Sequence, residues 1–482
     1  MNYSQLNSYN LPNPNQETEP PKLTWIILGA FILFTAAGTA AGAGSLVRPG
    51  YVLFSFLIAI FLYLKHPPFY VGFTWWMWFT TPLISRLIDY RSGFDQSRLV
   101  LVAQYLVTLV CLHTFLKDLP KSYRQGGLPF IIASIGLAYG FMIGIIQTSP
   151  VTAVRSLLDW LVPIPFAFYF FMNWRSYPQF RKIIKQVFIW GVLFTGVYGI
   201  IQYLVAPEWD RFWLISTELK SFGDPEPLKI RVWSTMSSPG PFATMMMSGL
   251  LLLFTSTGPI TIPAAGAGYL TFLLTLVRTL WGCWFVGLLS MLSAIKPRLQ
   301  MRLFMTLLVM VLCVVPLANM EPFSDAINAR LQSLTQLDKD DSANVRQEIY
   351  AEGIDKALTN YLGTGIGNTF IVDDEGKLIP IVIDSGILDT IFTLGWFGGI
   401  PYLGGIILLF MKGFQSNAAT RSDSFMAASR AVALGNFCAL PIGSAMLGFS
   451  GVVLWSFLAI VMAAQKYHAH QKSLQNQFHQ LY

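Results

Sequence analysis

The chain has 482 residues, 54% of them hydrophobic and only 12% charged, with a mean hydropathy of +0.53. No ordinary soluble domain of this size has that balance, so a water-soluble globular protein is excluded and a bilayer is the expected solvent. The formal net charge of +7 invites a nucleic-acid partner only until its carriers are placed along the chain, where they mark topology instead.

Residues 1–21 are polar, rich in Asn, Gln and Pro, and have no basic cluster before the first apolar run. They read as part of a disordered cytoplasmic tail, 1–23, rather than as a cleaved signal. Apolar windows then recur at 24–43, 51–64, 69–84, 99–116, 128–146, 152–172, 183–205, 239–257, 259–276, 279–295, 303–319, 385–411, 431–447 and 450–465. Each crosses roughly 30 Å of hydrocarbon as a helix, with tilt or burial accommodating the shorter ones. The expected fold class is all-α, a polytopic transmembrane helical bundle over 24–466 with about 12–14 spans of the usual length, followed by a cytoplasmic tail, 467–482. The pairs divided near Arg278 and near Phe449 are each open to being one long or re-entrant element. The four cysteines lie in apolar runs without paired spacing and read as small buried hydrophobes.

With the N-terminus inside, the inner turns collect Lys117, Lys121, Arg124, Arg175, Arg181 and Lys182 among others. The short outer connections and adjoining helix ends hold only Arg48, Arg86, Arg91, Arg98, Arg155 and Arg278, so the bias sets both termini in the cytoplasm, with anionic lipid headgroups as the partner of the inner charge. Two longer outer loops remain, about 206–238 and about 321–383. A loop as long as the second is usually functional or disordered. Its interior predicts order: Asp341 or Ser342 caps a helix over 343–358, with Glu352 and Lys356 as an i,i+4 pair, and "YLGTGIGNTF" ends it.

Four features carry candidate chemistry. In "KIRVWSTMSSPGPFATMMM", Arg231 precedes a turn that feeds a helix near Pro239, which suits bidentate phosphate binding or a snorkelling role at the headgroups. In "TFLLTLVRTLWGCW", Arg278 lies within an apolar stretch; it is either an intramembrane functional cation or a turn residue at the outer surface. Third, Arg330 and Arg346 flank the acidic turn and loop helix, while Gly363, Gly365 and Gly367 lack the strand a dinucleotide loop needs and read as tight turns. The clusters Asp338, Asp340, Asp341 and Asp373, Asp374, Glu375 read as solvated acids rather than metal ligands. Fourth, "LIPIVIDSGILDTIFTLGWFGG" sets Asp384 at the mouth of a helix, as N-cap or base, with Asp389 one and a half turns deeper. Trp209, Trp213 and Trp233 suit either stacking on sugar rings or anchoring at the interface.

This set resembles the O-antigen ligase and O-antigen polymerase superfamily of bacterial envelope polysaccharide enzymes. The likeness rests on the R-V-x-x-T-x-x-x-P-x-x-F-A segment from Arg231 to Ala243, Arg278 with Trp281, "DSANVR" followed by "GTGIGNTF", and "DSGILDTIFTLGWFGG", all within 229–399. The resemblance implies glycosyl transfer at the outer face of the bacterial inner (plasma) membrane, without metal or cofactor. It implies an undecaprenyl-pyrophosphate-linked glycan donor and a glycan acceptor, with a chain-length regulator and a flippase as further partners and no nucleic acid. Arg231 and Arg278 would then bind the pyrophosphate with Arg346 supporting, Asp384 would be the base, and Arg330, Asp389 and Ser385 would assist. Ligases of the family carry histidine and asparagine where this chain has Asp384 and Ser385, and none of its five histidines lies in an outer loop. The carboxylate looks more like the polymerase branch; ligation of glycan to a lipid or protein acceptor, and transport of lipid-linked sugars, stand as the alternatives.

Overall fold

The computed structural model describes residues 22–256, 258–294, the positions 300, 301, 304, 308 and 312, and then 359–368, 370–372, 378–380, 385–415, 423–443 and 445–479. Arg330, Arg346, Asp384, the acidic clusters, the loop helix expected at 343–358 and most of the span expected at 303–319 lie outside the described residues.

Helices account for nearly all the described chain, because a backbone crossing hydrocarbon has to satisfy its own hydrogen bonds. They are α1 Lys22–Ala40, α2 Gly44–Lys65, α3 Pro67–Ser92, α4 Val102–Leu109, α5 Leu112–Ser122, α6 Leu128–Gln147, α7 Pro150–Leu161, α8 Pro163–Met172, α9 Tyr177–Val205 and α10 Glu208–Thr217. Beyond these come α11 Pro239–Leu253, α12 Thr261–Leu274, α13 Arg278–Ala294, α14 Gly386–Phe414, α15 Ser424–Ala439 and α16 Gly448–His479. Eight helical stretches among the described residues are long and apolar enough to cross a membrane, and α11, α12 and α13 are shorter apolar helices. The protein is thus a multi-pass, all-α membrane bundle. Its one described sheet is a hairpin of β1 Phe370–Val372 with β2 Leu378–Pro380, antiparallel, Phe370 opposite Pro380.

Equally apolar helices occupy opposite places. Only 11% of the α1 window is buried, and Trp25, Ile26, Ile32 and Leu33 face outward, as lipid contact requires. In α16 the share is 94%, and Trp455 sits between Phe130 and Tyr402, 5.9 Å from each ring. Helices α6 and α14 meet along small residues: a Cβ added at Gly136 would overlap the Gly398 carbonyl, and one at Gly405 would lie 2.5 Å from the Pro129 carbonyl. Without a hydrophobic drive between helices in lipid, such backbone-to-backbone approach is a main source of packing energy.

Both uncertain divisions prove to be real breaks. Leu276, at φ 56°, turns the chain between α12 and α13, so Arg278 is the first residue of a helix rather than a mid-span charge. Residues 440–447 separate α15 from α16. The window expected at 431–447 is realised at Ser424–Ala439, because Asp423 Oδ1 accepts from the Phe425 and Met426 amides and starts the helix early, while Pro441 and Gly443 follow its end. We call the end that carries residues 206–238 and the start of α14 the loop end. The other, bearing Lys117, Lys121, Arg175, Arg181, Lys412 and Lys466, is the basic end.

Candidate functional site at the loop end

The loop after α9 is fastened by a charge that sequence reading left at the surface. Arg86 of α3 is 2% exposed and Asp210 of α10 is fully buried; Arg86 Nε lies 3.2 Å from Asp210 Oδ1, and its Nη2 donates to Ser234 O at 2.5 Å. Trp213 and Trp233 flank the guanidinium at 5.9 and 5.7 Å. Asp210 Oδ2 also accepts from Tyr198 Oη (2.8 Å) and Gln202 Nε2 (2.9 Å), while Gln202 Oε1 accepts from the Trp233 and Ser234 amides (3.0 and 2.8 Å). Asp210 Oδ2 is thus hydrogen-bonded twice, while Oδ1 has the Arg86 guanidinium as its ion-pair partner, the kind of compensation a buried carboxylate needs. The sugar-stacking reading of Trp213 and Trp233 is therefore wrong: both rings are spent on Arg86 and are buried. Trp209, half-buried, donates Nε1 to Tyr198 Oη at 2.6 Å and packs near Tyr90.

The same network delivers Arg231. Its amide donates to Phe222 O and its Nη1 to Ser221 O, both at 2.9 Å, and the next amide, that of Val232, donates to Leu274 O at 3.1 Å. Leu274 closes α12, and Arg278 opens α13 four residues on. One backbone bond thereby sets both half-buried arginines at the loop end. From there the packing continues to the fourth predicted feature. Alongside α13, α15 packs closely enough that a Cβ at Gly287 would lie 2.8 Å from Ala431 O. Beyond the far end of α15 the Leu440 and Gly443 carbonyls accept from Ile387 and Gly386 at the start of α14 (3.4 and 3.0 Å).

At that start the N-cap is Ser385, buried, its Oγ accepting from Leu388 N at 3.4 Å. The capping role read for Asp384 thus belongs to its neighbour. Asp389, half-buried, accepts from Thr393 Oγ1 at 3.2 Å, which is the partner a membrane acid requires.

Below Asp389 the helix breaks. Gly395 adopts φ 64°, ψ −174°, so α14 is two helices joined at a kink, and the break would orphan backbone groups inside the bundle. The segment 360–368 fills it: the Thr364 and Gly365 amides donate to Phe392 O and Thr393 O (3.0 and 2.9 Å), and Trp396 N donates to Tyr361 O (2.9 Å). On the other side Ile366 N reaches Gly140 O of α6 at 3.1 Å. A side chain at Gly365, held at φ 81°, would run into the backbone of Gly144. The expected tight turns exist, since Gly363, Gly365 and Gly367 all have positive φ, and they pack residues 360–368 into the bundle.

Two further acids at this end escaped the sequence reading in different ways. Asp89, beside Arg86 on α3, pairs with Arg48 Nη2 at 3.0 Å. Asp159, within the span expected at 152–172, accepts from Tyr105 Oη at 2.5 Å, next to Gly448 at the start of α16. The signal that singled out Arg278, a charge within an apolar run, fits Arg86 better. It went unused because the predicted span stopped at 84, whereas α3 continues to Ser92. Among the described residues no group of three or more His, Cys, Asp or Glu side chains is placed to hold a metal ion. No protein-family model matches the chain, and no curated protein is detectably similar to it.

Proposed function

We propose that the chain is a membrane glycosyltransferase that polymerises undecaprenyl-pyrophosphate-linked repeat units, with the loop end on the outer face of a bacterial plasma membrane and both termini in the cytoplasm. The single observation that carries the reading is the Val232–Leu274 hydrogen bond. It gathers Arg231 and Arg278 at the end of the bundle where α14 begins, directly after the Asp384–Ser385 pair that precedes it in the sequence. The excess of lysine and arginine in the short connections of the opposite end supports the orientation.

In this mechanism an acceptor hydroxyl attacks the anomeric carbon of the donor, and the bond to the pyrophosphate oxygen breaks as the glycosidic bond forms. A hydroxyl is a weak nucleophile, and proton removal by a positioned carboxylate contributes about 10²–10⁴ in rate, the role given to Asp384. Negative charge grows on the departing pyrophosphate. Arg231 and Arg278 therefore stabilise the transition state more than the ground state, and a guanidinium keeps its proton beside apolar helices where an ammonium loses it. Arg346 and Arg330 supply further positive charge from the long loop, and Asp389 with Ser385 holds the mouth of α14.

The test is the glycan and lipid profile of cells carrying single variants. Arg231→Ala, Arg278→Ala and Asp384→Ala each abolish long chains while single repeat units accumulate on the carrier, and His113→Ala, on the exposed side of α5, leaves chain length unchanged. Normal chain lengths in the arginine and aspartate variants overturn the mechanism. Full-length chains that stay unattached indicate a ligase instead, and repeat units trapped on the inner leaflet indicate a transporter.

A further inference from the structure

At the basic end two ammonium groups meet across the α14–α16 seam with no acid between them. Lys412 donates Nζ to Gly126 O at 3.3 Å, in the turn before α6 that also carries the exposed Arg124. Lys466 lies on α16 with its Nζ 3.4 Å from the centroid of the Phe171 ring, closed off from solvent and without a hydrogen-bond acceptor among the described residues. Gln465 ties the two helices together by donating Nε2 to Lys412 O and Gly413 O (3.2 and 2.9 Å), and the two cations are near enough to repel.

No carboxylate of the described residues pairs with either lysine. Asp423 is already engaged by Tyr177, Arg181 and His468, and Asp118 of α5 lies by Tyr63. The connection 416–422 holds no Asp or Glu at all. An ammonium group closed off from water beside a second, half-buried one is costly unless an anion completes it.

Depth and surroundings identify the anion. Lys466 follows Gly448 by eighteen residues, which at the α-helical rise is about 27 Å, close to the roughly 30 Å hydrocarbon thickness. With Gly448 at one boundary, the lysines stand at the headgroup level of the other. Along α14 an outward apolar stripe of Phe397, Ile400, Ile407 and Met411 ends one residue short of Lys412, as an acyl chain leading to a headgroup would follow it. We propose that the Lys412–Lys466 pair seats the phosphate of an anionic phospholipid from the leaflet at the basic end. Lys412 meets the phosphate directly, and Lys466 swings from the Phe171 ring to join it. This assignment is independent of the glycosyltransferase reading.

The experiment uses the purified full chain in neutral detergent, with bound lipid counted by native mass spectrometry during titration with dioleoylphosphatidylglycerol. The parent protein retains one phosphatidylglycerol that Lys412→Gln/Lys466→Gln binds about tenfold more weakly, a change of about 1.4 kcal/mol. Lys412→Arg/Lys466→Arg keeps that lipid, which separates lost charge from lost folding. Lys121→Gln/Lys472→Gln, an equal loss of charge from exposed positions at the same end, leaves it bound, and phosphatidylcholine does not replace it. Equal weakening in both glutamine double variants reduces the effect to surface charge, and displacement by millimolar inorganic phosphate makes the site one for a free anion; either result overturns the proposal.

Discussion

Arg86, near the loop end, and Lys466, near the basic end, both carry charge on nitrogen atoms closed off from solvent. Around Arg86 the protein supplies its own counter-ion, Asp210, two indole faces and a carbonyl, and that acid also accepts from Tyr198 and Gln202. Around Lys466 it supplies a phenyl ring and a second cation. The difference teaches what a buried charge is for. Arg86 and its acceptor Ser234 lie 148 positions apart, so their contact welds the first long loop onto the bundle and fixes the entry to α11. Its loss is a loss of fold; the loss of Lys466 is a loss of partner.

The largest expected effect breaks the loop-end side of this contrast. Arg86→Met leaves Asp210 buried without its counter-ion and costs about 3–5 kcal/mol, as removal of one member of a buried pair does. Arg86→Met/Asp210→Asn, which keeps an oxygen acceptor for Tyr198 and Gln202, recovers part of that loss. Thermal unfolding of the purified proteins checks this: if the single variant is no less stable than the double, Asp210 is not the counter-ion that matters. Next comes the re-entrant segment. Gly365→Ala forces a Cβ into the Gly144 backbone at positive φ and costs about 2–4 kcal/mol from strain and overpacking together. Hydrogen exchange at Thr364, Gly365 and Trp396 should rise, since their amides close the break at Gly395; unchanged exchange would mean the segment does not depend on this packing.

The smallest effect sharpens the basic-end side, where one acid is over-provided with donors. Burial alone pushes the Asp423 carboxyl up. The partners His468, Tyr177, the Met426 amide and Arg181 outweigh that and hold it at about 2. Because the folded value lies below the unfolded one of about 4, the stability it contributes is fully present above pH 4 and is lost as pH falls through 2, at most about 2.6 kcal/mol. Asp423→Asn therefore unfolds more easily than the parent at pH 6, and the gap between them narrows below pH 4 and is mostly gone by pH 2 in thermal melts. A gap that stays constant with pH would show that the cluster acts through helix capping alone.

How far the sequence could be read follows the range of each interaction. Apolar length fixed the helices, because hydrocarbon thickness and the internal hydrogen bonding of a helix act on each segment by itself; the extents of α6, α13 and α14 lie within a few residues of expectation. The early start of α15 at Asp423 was also local, though hydropathy overlooked the cap. Arg231 and Arg278 were recognised as neighbours of the membrane boundary from their flanking residues. Only the Val232–Leu274 bond brings them to one end.

From its residues alone the chain declares a multi-pass helical bundle, marks which arginines and acids lie beside apolar runs, and supplies glycines where the backbone has to turn through positive φ. Tertiary structure alone decides the rest. It makes α16 a core helix and α1 a lipid-facing one, gives Asp210 to Arg86, turns Trp213 and Trp233 inward, and seats residues 360–368 in the break at Gly395. In lipid every side of an apolar helix is equally comfortable. Which side faces protein is therefore settled by steric fit and by polar partners distant in sequence, and neither leaves a periodic trace in the chain.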